Sequence, residues 1–169
     1  MRYLGVFGSL WGALGVLGLL GFAVYRLVGV FVLSLEFEYF WYHWLVMAAG
    51  IIFMAYSEGY KGFQKAFSPR VAARTLYIRE NPTLPLVLFA PLFCMCFFFA
   101  TKKRKIVAYS LTVGILIMIT LFRQFSQPWR GVLDLGVVVG LSWGILATLY
   151  YILLAFMSPA FDVSPEISE

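Results

Sequence analysis

Few side chains in this chain have chemistry to offer, and they are scattered. Asp134 follows Arg130 by four residues, which on a helix stacks the carboxylate one turn above the guanidinium. Glu58 opens a polar stretch that also carries Lys61, Lys65, Arg70, Arg74 and Arg79. Cys94 and Cys96 are one residue apart, and His43 is the only histidine. An acid paired with a base at the threshold of a membrane helix anchors that helix, whereas an acid at the bilayer midplane would pass protons or ions. Basic residues on an in-plane helix would hold lipid phosphates, so Lys61, Lys65, Arg70 and Arg74 are candidate headgroup ligands.

Reaction chemistry finds less support. One histidine cannot supply two axial haem ligands or a multi-histidine metal centre, and beside Trp41 and Trp44 it reads as an interfacial hydrogen-bonder. The single residue between Cys94 and Cys96 turns the two thiols to different faces of a helix, so they read as buried free thiols. The chain has no H-E-x-x-H, no P-loop and no G-x-S-x-G. No catalytic residue, metal site or cofactor is assigned, and the chain reads as non-enzymatic.

The elements that must position these residues are membrane helices. Hydrophobic residues make up 62% of the 169 and charged ones 12%, half of the roughly one quarter usual in soluble domains. Apolar segments follow one another at about 3–33, 39–57, 83–101, 106–122 and 132–157, most of them near the 17 to 25 residues that cross a bilayer. The fold class is therefore all-α, a polytopic integral membrane protein with a single helical domain over 1–157 and a short acidic, unpacked tail over 158–169. The first segment lacks an A-x-A-like cleavage site and reads as a retained span. In a bacterium the location would be the cytoplasmic membrane. The +5 net charge is what basic loops give a polytopic protein, so nucleic acid is not an expected partner.

Glycines supply the packing signal. Gly136, Gly140 and Gly144 stand four apart and form a groove of bare backbone on the last span; Gly8 and Gly12 form a second on the first. The natural expectation is that these two spans close on each other. Between them, 58–82 reads as a basic amphipathic cytoplasmic loop of two short helices, with Ser68 as N-cap, Pro69 at the first helical position and Glu58 pairing with Lys61.

The third segment poses a conflict. Its 19 uncharged residues suffice to cross, but Pro85 and Pro91 break a helix. Five full spans put eight basic residues inside and five outside, stranding the Lys102 to Lys105 cluster on the wrong face; four spans plus a re-entrant third segment put ten inside and three outside.

Three function classes follow. The first is an accessory or assembly subunit that packs through its glycine faces against another membrane chain or a second copy, with lipids around it. The second is a small transporter or channel using Asp134 and Glu58. The third is a lipid-headgroup-processing enzyme using Glu58 and the loop arginines.

Overall fold

A computed structural model describes residues 2–158 and 161–167. It is all-α, with no strand among the described residues. Three helices are long and apolar enough to cross a membrane: Tyr3–Ser34, Lys102–Phe122 and Trp129–Met157.

Helix α1 runs Arg2–Ser34 without a break at Arg26, whose exposed side chain takes its charge away from the helix's contacts. It ends where the Ser34 hydroxyl turns back to the Phe31 carbonyl and meets the Tyr39 hydroxyl at 2.7 Å. Helix α2, Trp41–Met54, starts under a side chain of its own first turn: His43 Nδ1 accepts the Phe40 N–H at 3.0 Å. The imidazole is buried, 4.6 Å from the Trp129 ring, and is thus a cap and packing residue instead of an interfacial one.

The stretch expected to be a loop is a helix continuous with α2. From Ala55 to Phe67 the chain takes the wide π turn, and α3, Ser68–Glu80, carries on from it. Ser68 is not a cap. Its backbone is helical, its N–H reaches Phe63, and its hydroxyl meets the Thr148 hydroxyl at 2.9 Å in a fully buried pair. Pro69 stands in the first turn of α3, directly after the π segment, and the helix runs on through it without a break.

The third apolar segment is not one helix. It folds as α4, Leu84–Leu88, and α5, Ala90–Cys94, each five residues long with a proline in its first turn, and then a non-helical turn in which Cys96 and Phe99 take positive φ. Neither piece is long enough to span a bilayer as a helix, so of the two expected arrangements, five spans or four plus a proline-broken re-entrant segment, the five-span one is not shown. Helix α6, Lys102–Phe122, and helix α7, Trp129–Met157, complete the chain.

Close approaches give the directions. A Cβ on Gly136 would meet Gly50 and Met54, one on Gly140 would meet Glu58 at 2.9 Å, and one on Gly144 would meet the Phe63 ring at 2.5 Å. The glycine groove of α7 is therefore filled by α2 and the π segment, running parallel to it, and not by the first span. The groove of α1 takes the broken segment: Gly8 faces Val87, Gly12 faces Ala90 and Cys94, and Gly15 faces Pro91. Helices α1 and α7 do pack together, antiparallel, with Gly131 against Ser34 at one end. At the other end Gly5 lies on the Arg79 backbone, while the Arg79 guanidinium lies over Phe156.

The best-packed core lies at that second end. It joins Ala13 and Val16 of α1, Val71, Ala72 and Ile78 of α3, Leu86 to Cys94 of the broken segment, and Ile152 and Ala155 of α7. Phe161 and Ile167 of the tail pack on it, so the tail is a packed element over its described residues; 159, 160, 168 and 169 lie outside them.

Candidate functional site

Two constellations of charged side chains stand out, one centred on α3 and the other between α3 and the basic start of α6. The first is built around Arg74, which is fully buried. Its Nε donates to the Pro165 carbonyl at 2.9 Å, Nη1 to Phe93 at 2.7 Å and Phe98 at 3.1 Å, and Nη2 to Phe99 and Glu166 at 3.2 Å each. All five N–H donors of the guanidinium are used, and every acceptor is backbone. The arrangement corrects the reading of Arg74 as a headgroup ligand: no donor is left for a phosphate. It ties the end of α5, the turn after it and the tail to α3.

The second constellation lies in a half-open cleft of about 210 Å³ between α6 and the rest of the bundle. Its charged lining is Glu58, Arg70 and Arg104; its apolar lining includes Leu20, Phe67, Leu111 and Ile115. Arg104 holds the Glu166 carboxylate through two hydrogen bonds, the longer from Nη2 at 2.8 Å. That hydrogen bonding, with the nearby arginine charges, keeps the Glu166 carboxyl below the usual range. Arg70 is half-buried and pairs with no described carboxylate. Glu58 does not pair with Lys61: one of its oxygens is buried without a hydrogen-bond partner among the described residues, while Lys61 sits over the Tyr56 ring at 4.7 Å and Lys65 over Tyr60 at 4.5 Å.

Arg130 and Asp134 meet as an i, i+4 ion pair at 3.8 Å, with Asp134 buried. They sit near the start of α7, remote in the fold from the cleft. Cys94 is buried, and burial pushes its thiol up to about 12, so it stays protonated at neutral pH and is not a nucleophile. No group of three or more metal-ligating side chains exists among the described residues.

Sequence reasoning did not find the Arg104 and Glu166 pair, the Ser68 and Thr148 pair, or the 2.8 Å bond from Trp143 to Gln64. The first two had a signal, an acid in the tail and hydroxyls on neighbouring apolar faces, but nothing in sequence spacing fixed their partners. No family model, curated protein or solved structure matches the chain.

Proposed function

We propose that this protein is a non-enzymatic, multi-pass integral membrane protein of four crossings that serves as an accessory or assembly subunit for another membrane chain or a second copy of itself. The crossings are α1, α2 with the π segment, α6 and α7, with α4 and α5 on the cytoplasmic side. This reading gathers ten of the thirteen basic residues at the cytoplasmic end, leaving Arg26, Arg123 and Arg130 at the other.

The observation that carries the subunit role is α6. It has the length and apolarity of a span, yet none of its 21 residues, all of them described, is buried. Gly8 and Gly12 of α1 and Gly136, Gly140 and Gly144 of α7 are covered inside the chain, whereas nothing lies within 4 Å of a Cβ on Gly114 of α6, or on Gly18, Gly21 and Gly29 of α1. Ser110 and Gly114 leave a small-residue face turned from the cleft, which suits close approach of a second helix. Cysteines at Val113 and Ile117, crosslinked in native membranes, should trap a membrane partner, and Gly114→Leu should abolish the product without lowering the melting temperature. A chain that stays uncrosslinked and monomeric in mild detergent would sink the proposal.

Glu58 favours a second reading, transport through the cleft, because its carboxylate oxygen is buried without a partner. Loss of solute flux in Glu58→Gln at unchanged folded yield would promote it.

A further inference from the structure

The cleft beside α6 is polar at one end and apolar along the rest. At the first turn of α6, Arg104 faces Arg70 of α3; over the next three turns Val107, Ala108, Leu111 and Ile115 present an apolar strip interrupted by Thr112, whose hydroxyl donates back to the Ala108 carbonyl at 2.9 Å. The opposite wall is also apolar, from Phe67 to Leu20 and Leu141. Glu58, the third charged residue of the lining, sits about three turns before Arg70, with its oxygen toward Gly140 of α7 and away from the arginines.

We propose that this cleft binds one anionic phospholipid, its phosphate on Arg70 and Arg104 and an acyl chain along Val107, Ala108, Leu111 and Ile115. Three observations carry the assignment. The cationic end coincides with the start of α6, where Lys102 to Lys105 mark the bilayer surface, so the polarity of the cleft runs in the same direction as that of a lipid. The chain's own Glu166 carboxylate already lies on Arg104, so this mouth accepts a pair of anionic oxygens, and Arg70 beside it faces that carboxylate's charge without an ion-pair contact of its own among the described residues. Finally, the inner strip of α6 faces open cleft, and inside a bilayer a hydrocarbon chain fills such a space at no cost in polar groups, whereas water there would lack partners. Phosphatidylcholine carries the same phosphodiester, but its choline ammonium would add a further cation at a mouth that already holds Arg70 and Arg104 beside Lys102, Lys103 and Lys105. Free phosphate would leave the apolar three turns empty.

The test uses the full chain in maltoside micelles, with dioleoylphosphatidylglycerol, dioleoylphosphatidylcholine and inorganic phosphate as probes. Native mass spectrometry should show one phosphatidylglycerol retained and no phosphatidylcholine, with a higher melting temperature for the first alone. Arg70→Gln, which removes the charge, and Ala108→Trp, which fills the strip, should each cut retention by at least about fivefold, the loss of a charge-assisted contact or its equivalent in excluded chain. Circular dichroism and gel filtration establish that both variants are folded. Equal retention of phosphatidylcholine by the parent, or none of either lipid, overturns the proposal without reference to any variant. Stabilisation by inorganic phosphate to the same degree marks a free-anion site and also overturns it. So does retention unchanged in folded Ala108→Trp, because the chain would then lie elsewhere.

Discussion

The guanidinium of Arg74 lies 4.5 Å from the centroid of the Phe93 ring and donates a 2.7 Å hydrogen bond to the carbonyl of that same residue. One residue thus supplies both a π face and an acceptor. The carbonyl belongs to the last turn of α5, where it also accepts the Cys96 N–H at 3.0 Å, and the ring covers the cation from above. Arg74 thereby finishes a helix too short to be stable alone.

Removing that donor set should be among the costliest single changes in the chain. Arg74→Ala removes the donor from five carbonyls, of which Phe93 and Glu166 keep a backbone N–H partner and Pro165, Phe98 and Phe99 do not, and should destabilise by about 3–5 kcal/mol, the range for breaking a buried charged network. Arg74→Lys keeps the charge but not the planar fork, and should recover only part of the loss. Thermal unfolding in detergent distinguishes them; an Arg74→Lys protein as stable as the parent would mean that charge alone suffices.

The glycines should divide into two classes. Gly144→Ala places a methyl 2.5 Å from the Phe63 ring and should cost about 1–3 kcal/mol through overpacking. Gly114→Ala meets nothing within 4 Å and should be neutral or slightly stabilising through helix propensity. Melting temperatures of the two variants in one detergent check the contrast, which fails if they shift alike.

Ser68 and Thr148 should behave as a unit. Ser68→Ala or Thr148→Val alone leaves one buried hydroxyl without its partner, at about 1–3 kcal/mol. The double variant removes both polar groups and should cost less than the sum of the singles. A double-mutant cycle in thermal unfolding reads this coupling directly, and strict additivity would show that the hydroxyls do not interact.

How much of this was legible in the sequence depends on which atoms carry the contact. The apolar segments, the glycine grooves and the break at Pro85 and Pro91 were readable because each is a property of side-chain type and spacing. The partners of the grooves were not, because bare backbone accepts any helix of suitable shape: Gly140 takes Glu58 and Met54 as readily as a residue of α1. Arg74 was misplaced for a related reason. Its acceptors are main-chain carbonyls, which every residue has and which no sequence pattern marks. The 58–82 stretch was misread because the π turn rotates α3 relative to an α-helical count, so the residues that face the core there are not those that a 3.6 period selects.

Single-cysteine labelling separates four crossings from five. With the buried Cys94 and Cys96 silent, Phe37→Cys should react with a membrane-impermeant maleimide on intact cells, and Lys103→Cys should react only in inverted vesicles. Reaction of Lys103→Cys from outside would restore five spans.

The Arg104 and Glu166 pair gives a signed pH dependence. Because Arg104 holds the Glu166 carboxyl below its unfolded value, the pair's stabilisation is fully present above the ordinary carboxylate range, about pH 4–5, and is lost as pH falls through the lower folded value. Glu166→Gln should therefore lower the melting temperature at pH 7 by a small amount, as suits a pair still partly open to solvent, and should flatten its decline at acid pH. Parallel acid profiles for parent and variant would exclude the linkage.

The staple at Arg74 also imposes an order on biosynthesis. Its acceptors at Phe93 to Phe99 are translated within 25 residues of it, but those at Pro165 and Glu166 follow 91 and 92 residues later. At about 5–20 residues per second the guanidinium waits roughly 5 to 20 s with part of its donor set open. During that interval water or lipid phosphate must serve in place of the missing carbonyls. The full donor set of Arg74 can therefore close only after the tail has been made, so completion of this staple falls late in assembly of the chain.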